Sequence, residues 1–559
     1  SKGVRAARRR MEASGLGGPG GGPGGGPGPC GEGHSPRLPP VKQRRPAASE
    51  PEGMMEVERD DCAPDADSDG AAAALPPPSI PAPEWAGVIE RVKSAIVAIR
   101  VTGVRPFEDS PAGVWQGTGF VVSLEDPAEA LILTNRHIIS TGPIRAYATF
   151  DEHEELPVFP VYRDPVHDFG FLQFDARRLR FTPPREIPLS PEGLRVGTEV
   201  LVIGNDNAEK IQILPATIAR VDRNAPDYDD GNYQDENTFY AGAGSNTSGG
   251  SSGSPVIDRS GACIALNAGG TSEAASAYYL PLDRVVYVLR WLCGHRGQAT
   301  LPPRGTWLTK FLFQPFDMLR RLGFTEAQER SVLQAHEPIE GASVQPNSKR
   351  PKGMLVVDSF LPGTQAEELL RPGDVLLRLD GQPCLVFADL DDRLDSRVGQ
   401  EVPLLISRAG AEMELRLKVA DLHELIPHDF VECAGGVFHQ LSYHTCKRFH
   451  ISVQERGVFV VQSGFGFGLE LPYHAVISGV AGCAVSSLGD FSQALAKVAD
   501  GDTFEVAWYN PTTNERRKKR SSVRMERTLW PLCTWRFHAE RPNAWRRQPG
   551  EPSPAAAPA

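Results

Sequence analysis

The stretch Gly249-Gly250-Ser251-Ser252-Gly253-Ser254-Pro255-Val256 places a serine between glycines and then opens an apolar strand with a proline. A serine hydroxyl attacks a carbonyl only when a base takes its proton and amide N–H groups receive the charge developing on the oxygen. Glycines beside the serine let the backbone turn tightly enough to aim those amides into one hole. Alone, the segment is ordinary loop material. Two upstream segments add the missing chemistry. Ile132-Leu133-Thr134-Asn135-Arg136-His137 ends an apolar run in a histidine. Asp164-Pro165-Val166-His167-Asp168-Phe169-Gly170-Phe171 sets a carboxylate just before another apolar strand. The order His, Asp, Ser along a chain is one that an acyl-transfer triad takes.

Rival residues are weaker. Among Ser245, Ser248, Ser251, Ser252 and Ser254, only Ser252 has Gly two before, Gly one after and Pro three after. Asp164 precedes a proline and suits a turn, and Asp175 follows its strand, whereas Asp168 immediately precedes the strand that begins at Phe169. His167 sits beside the carboxylate and not after a strand, which suits a neighbour of the site.

These residues need a β scaffold. A short amphipathic helix at 88–96 leads into strands at 98–101, 119–122, 131–133, 171–174, 200–204, 256–257, 263–266 and 278–280, split by Gly, Pro and Asp turns. That pattern indicates an all-β barrel or sandwich, not a βαβ sheet. A helix at 282–292 closes the unit near residue 300, so its core is expected not to need the later residues. Two smaller units then repeat the order strand, strand, helix, strand, with 388–394 matching 489–495, as a degenerate repeat of one module. The expected division is a disordered low-complexity extension over 1–83, a catalytic domain over 84–300, two α+β domains over 301–421 and 422–535, and a disordered tail over 536–559.

Composition narrows the class. With 59 Lys and Arg against 70 Asp and Glu, the formal charge of -11 argues against a general nucleic-acid surface. No apolar run reaches the length that crosses a bilayer. Nine scattered cysteines, never spaced CxxC, fit a reducing compartment better than a disulfide framework or zinc site. The run Lys42-Gln43-Arg44-Arg45 has the composition of a nuclear-import signal, though a solvated basic linker accounts for it more simply. Arg516 to Arg520 reads as a solvated hairpin tip.

The segments GTGFVV, TNRHII, HDFGF, GGSSGSPV and RPGDVLLRLDG together resemble the HtrA/Deg (Do-like) serine proteases. YRDPVHDFGF, VDRNAPDY and SGGSSGSPVID point to the large branch that holds the fungal nuclear pro-apoptotic proteases and plant Do-like relatives. The resemblance runs from about residue 85 to about 535. It implies a mainly β fold: a trypsin-like double β-barrel protease domain followed by two PDZ-like domains. It assigns His137 as general base, Asp168 as its orienting carboxylate, Ser252 as nucleophile, and the amides of Gly250 and Ser252 as the oxyanion hole. Most family members carry Asn before the nucleophile and Gly-Gly after it, where this chain has Ser251 and Gly253-Ser254. That branch usually continues into a second, degenerate protease-like half, so the resemblance implies a short form or an incomplete gene model.

The substrate pocket is expected at Thr247 and Asn267-Ala268-Gly269-Gly270, with room for a medium or large apolar side chain. Gly305, Thr306, Trp307 and Leu308 resemble the family's carboxylate-binding loop, although Thr309 stands where glycine is usual. The resulting expectation is an ATP-independent serine endopeptidase of protein quality control, acting on unfolded or damaged proteins. The alternative is a proteolytically weak chaperone or PDZ scaffold on the same fold. No cofactor and no metal are implied. The resemblance also implies a homo-oligomer, trimer or larger, in the nucleus, with the plastid stroma as the alternative.

Overall fold

The computed structural model describes residues 83–549 apart from 109, 206–209, 227–234, 245–249, 272–275, 299, 335–351, 468–470, 513–516 and 539–544. The extension expected over 1–83 lies almost wholly outside the described residues. Helix α1 (Pro83–Val92) buries Trp85, Val88 and Val92 at helical spacing. It ends earlier than the sequence pattern suggests, because Ile96 and Val97 pair with Phe120 and Gly119 as the start of a strand.

That strand is β1 (Ile96–Gly103), whose second half alternates buried Ile99 and Val101 with exposed Arg100 and Thr102. With β2 (Gly113–Ser123), β3 (Ala130–Thr134), β4 (Ile144–Phe150), β5 (Glu154–Arg163) and β6 (Gly170–Phe174) it forms a closed antiparallel barrel. The order is β1-β2-β3-β6-β5-β4. Between β3 and β4 lies the short helix α2 (Arg136–Ile139). A second closed barrel uses β7 (Glu199–Asn205), β8 (Ile211–Arg223), β9 (Tyr240–Ala243), β10 (Pro255–Ile257), β11 (Cys263–Thr271) and β12 (Ser276–Pro281). Its order is β10-β11-β12-β9-β8-β7. Helix α3 (Asp283–Gly294) comes next in the chain. One apolar cluster runs through the first barrel, α1, α3 and the facing wall of the second barrel (Leu201, Ile203, Ile257, Leu266). The two barrels therefore share a core, and the groove between them has a fixed floor.

The third unit comprises β13 (Gly305–Thr306), β14 (Thr309–Pro315), α4 (Phe316–Arg321), α5 (Glu326–Gln334), β15 (Gly353–Phe360), α6 (Gln365–Leu369), β16 (Val375–Leu379), β17 (Gln382–Pro383), α7 (Phe387–Asp395), β18 (Glu401–Arg408), β19 (Ala411–Lys418) and β20 (Ala420–Asp421). Its main sheet runs β14-β15-β16-β18-β19, leaving β14 at an edge. The fourth comprises β21 (Asp429–Cys433), β22 (Gly436–Gln440), α8 (Tyr443–Phe449), β23 (Val458–Gln462), β24 (Val476–Val480), β25 (Cys483–Ala484), α9 (Leu488–Ala496), β26 (Thr503–Tyr509), β27 (Lys519–Arg524), β28 (Cys533–Phe537) and β29 (Trp545–Pro549). The internal repeat is present as β16-α7-β18 and β24-α9-β26. The disordered tail expected from 536 begins too early: β29 pairs with β28, and Trp545 packs its ring on Phe107 and Phe430.

The boundary near residue 300 is not a thinly crossed seam. Arg304, just past it, is buried with its guanidinium 3.6 Å from Asp164 of the first barrel. It also lies 3.5 Å from Asp391 and 3.6 Å from Asp395, both of α7. Arg284 of α3 joins the cluster through Asp395 and through Asp392 at 2.9 Å. Burial opposes charge on Asp164, but Arg304 outweighs it and holds that carboxyl far below its usual range. Removing one member of such a cluster leaves a buried charge uncompensated. The two barrels without the later units would keep Asp164 and lose Arg304, so the expectation that their core needs no later residues meets an uncompensated buried carboxylate at this point. Arg304→Met should lower the stability of the full chain by about 3–5 kcal/mol in urea unfolding. A loss below about 1 kcal/mol would make the cluster peripheral to the fold.

Candidate active site

β3 ends at Thr134, and α2 turns His137 out of the first barrel into the groove between barrels. β6 begins at Gly170, which puts Asp168 in the turn just before it. The two side chains meet. His137 Nδ1 lies 2.8 Å from Asp168 Oδ2, and the His137 backbone amide donates to Asp168 Oδ1 at 3.0 Å. The Asp168 side chain is fully buried, whereas the His137 side chain is about one third exposed at 34%. Burial works against charge on the ring, yet the Asp168 carboxylate outweighs it and raises the imidazole above its usual 6.5.

Three further residues fix the carboxylate. Asn135 Nδ2 donates to the Asp168 carbonyl at 2.9 Å. Asp235 Oδ2 accepts the Asp168 amide at 3.0 Å and the Tyr240 hydroxyl at 2.7 Å. On the other side, Asp164 Oδ1 accepts the amides of Val166 and His167 at 2.9 and 2.7 Å, closing the turn that carries Asp168. Burial, reinforced by Arg304, pushes the His167 imidazole down to about 3, so it stands as a neutral neighbour near neutral pH. Asp235 lies among Asp, Glu and Asn residues, and no spacing marked it out.

Ser252 enters from the second barrel, just before β10. Its carbonyl accepts the Thr118 amide of β2 at 2.8 Å, and the Thr118 carbonyl accepts Thr134 Oγ1 at 2.7 Å. The serine loop is thereby laced to the strand that leads to His137. Gly250 (φ +100°) and Gly253 (φ +86°) both occupy the left-handed region that glycine tolerates. A Cβ on Gly253 would fall 2.0 Å from the Thr118 carbonyl oxygen. The amides of Gly253 and Ser254 donate to the carbonyls of Asn267 and Ser251. Among the described residues, no acceptor takes the Gly250 or Ser252 amide. Ser254, the residue that departs from Gly-Gly, is buried, and its hydroxyl donates to the Ser251 carbonyl at 2.6 Å. Gly204 opposite makes room for it, since a Cβ there would lie 1.8 Å from Ser254 Oγ.

Residues 117–266 match the model of a trypsin-like peptidase domain, and 424–501 match that of a PDZ-like domain. The chain is 41% identical over 460 residues to "Protease Do-like 7" of Arabidopsis thaliana, covering 80% of this chain and 40% of that protein. It is 44% identical over 407 residues to "Pro-apoptotic serine protease nma111" of Aspergillus oryzae, covering 72% of this chain and 38% of that one. Over this span the chain is similar to Do-like serine proteases, with a trypsin-like peptidase domain followed by a PDZ-like domain. It spans about two fifths of the length of these relatives.

Within this Do-like frame the other expected site residues separate. Thr247 lies outside the described residues. Asn267 is fully buried and its amide donates to the Ser251 carbonyl at 2.8 Å, which makes it a brace of the serine loop and removes it from the expected pocket wall. Ala268 is buried at a bulge in β11, Gly269 is half-buried and Gly270 exposed, and both pair with β12. The loop Gly305, Thr306, Trp307 and Leu308 is not the nest of bare amides that the resemblance implied. Gly305 and Leu308 amides donate to Asp395 Oδ1 and Thr306 Oγ1, β13 pairs with β20, and Trp307 lies in the unit's core. In the fourth unit, β21 pairs along one edge of β22 and β23 along the other. The described part of the basic run at 517–520 leads into β27, with Arg520 paired to Glu505.

Gly253→Ala should destabilise the chain by at least about 2 kcal/mol, through backbone strain and collision with Thr118. It should also silence the site, because the serine loop must shift. Thermal unfolding with fluorophosphonate labelling measures both, and a fully stable, fully reactive variant would show that the loop is not held as described.

Proposed function

We propose that this chain is an ATP-independent serine endopeptidase that cleaves peptide bonds in unfolded or damaged proteins, with His137, Asp168 and Ser252 as its triad. The observation that carries this reading is the double hydrogen bond from His137 to the buried Asp168 carboxylate. Nδ1–H is fixed toward Asp168, so Nε2 is the basic nitrogen and faces away from it. Nε2 takes the proton of Ser252 Oγ as that oxygen attacks the substrate carbonyl. The Gly250 and Ser252 amides hold the resulting oxyanion. Imidazolium, stabilised by Asp168, then gives its proton to the leaving amine, and the C–N bond breaks. Water, deprotonated by the same nitrogen, attacks the acyl-enzyme and releases Ser252. Unfolded chains suit this groove as substrates because the half-buried Gly269 and the exposed Gly270 carry no side chain to obstruct an extended backbone. The compartment we favour is the nucleus, on the likeness to the fungal pro-apoptotic serine proteases; imaging of the tagged full chain tests it. Among the described residues no helix is long and apolar enough to cross a membrane.

Ser252→Ala should abolish casein hydrolysis, by roughly a thousandfold or more, without lowering the unfolding temperature. Full activity in that variant would move the nucleophile elsewhere, and an inert wild-type chain would favour the scaffold reading. The pH dependence has a definite sign. Catalysis needs neutral imidazole, and Asp168 raises the pH at which the ring loses its proton, so kcat/KM should rise with pH through a midpoint above 6.5. A midpoint below 6.5 would contradict the pairing.

A further inference from the structure

The edge strand β14 is where a peptide would add to the third unit as an extra strand, with α7 as the opposite wall. Part of that place is already filled by the second barrel. Asn237, from the segment between β8 and β9, donates from Nδ2 to the Thr309 carbonyl at 3.0 Å. Its Oδ1 accepts the Phe311 amide at 2.7 Å. Its side-chain amide thus makes the donor-and-acceptor pair that one residue of an added strand would make. Two residues on, the Phe239 ring packs between Phe313 of β14 and Phe387 of α7, with centroids 5.5 and 5.0 Å away. It sits against the core of the third unit. A ligand taken from within the chain has no terminal carboxylate. This agrees with a carboxylate loop whose Gly305 and Leu308 amides already donate to Asp395 and Thr306.

The same segment reaches the catalytic groups. Asp235, two residues before Asn237, holds the Asp168 amide, and Glu236 pairs with Lys447 of α8 at 3.2 Å. Residues 235–239 therefore join the triad turn to both PDZ-like units.

We propose that Asn237 and Phe239 are the built-in occupant of the first PDZ-like groove, and that by seating there they act as positioning residues that keep Asp235 on the Asp168 amide. The unit then works as a clamp on the triad and does not recruit peptide C-termini. The catalytic half of this proposal rests on the endopeptidase reading; the occupancy half does not. With the occupant in place the groove is competent for an outside ligand only in the small fraction of time the segment is out, so outside affinity falls by that fraction. Loss of the seat lets Asp168 drift, and misplacement of a catalytic group by about 1 Å costs up to about a hundredfold in rate.

The test uses the full chain, an Asn237→Ala/Phe239→Ala variant and a Phe239→Leu variant. In one arm, fluorophosphonate labelling and peptide hydrolysis are followed across pH. The double variant should lose at least about tenfold in kcat with KM little changed, and its midpoint should move down as Asp168 pairs less well with His137. Phe239→Leu, which still fills the groove, should recover most of the rate. In the other arm, a fluorescein-labelled peptide of the chain's own residues 234–241 is titrated by anisotropy on Ser252→Ala backgrounds. It should bind the double variant at least about tenfold more tightly than the unmodified groove. Equal binding to both overturns the occupancy, and wild-type labelling of a folded double variant overturns the positioning role. A wild-type chain that labels at no serine defeats the endopeptidase reading while the anisotropy arm still decides what fills the groove.

Discussion

Asp168 accepts both the ring and the backbone N–H of His137 from a position with no solvent exposure. An isolated carboxylate there would be expelled or neutralised, so its charge depends on donors supplied by the surrounding chain. His137 supplies two of them. Asp235 adds its charge to the field that raises the His137 ring, and Asn135 and Asp235 both act on the main chain. They pin the main chain of Asp168 through its carbonyl and its amide, which sets where the carboxylate points.

The same dependence explains why the later units are packed so closely on the barrels. The turn that carries Asp168 starts at Asp164, and Asp164 remains charged because Arg304 reaches it from beyond the barrel. Arg304 is in turn held by Asp391 and Asp395 at the end of α7. A second link runs from the fourth unit, where the His444 ring meets Glu108, Arg136 and the Pro165 carbonyl. Arg136 is the residue before His137, and Pro165 lies in the turn that carries Asp168. Both units therefore press on the two short segments that set the geometry of the base.

Much of this was legible in the sequence. The short, turn-bounded apolar runs that became β1, β3 and β6 indicated an all-β barrel or sandwich, the family resemblance implied the double barrel, and His137 and Asp168 stood at the ends of apolar runs. The serine loop announced itself through glycines that the backbone requires at 250 and 253. What escaped is what depends on distant partners. Asp235 and Arg304 are ordinary charged residues in sequence, and only the fold brings them to Asp168 and Asp164. Asn267 looked like pocket wall because it neighbours glycines, yet its amide is taken by Ser251. Trp545 sat in a Pro- and Arg-rich tail and is buried because Phe107 and Phe430 offer it a face.

The role of Asp168 is tested most directly by titrating the His137 ring by nitrogen-resolved NMR in the full chain and in Asp168→Asn. With Asp168 present the ring should titrate above 6.5, and its Nδ1 should carry the proton throughout. In the Asn variant the Asp168 pull is gone and burial works against the charge of Asp235 alone, so the midpoint should fall well below its value with Asp168 present. Identical midpoints in the two proteins would contradict the claim that Asp168 holds the His137 ring and raises its charge.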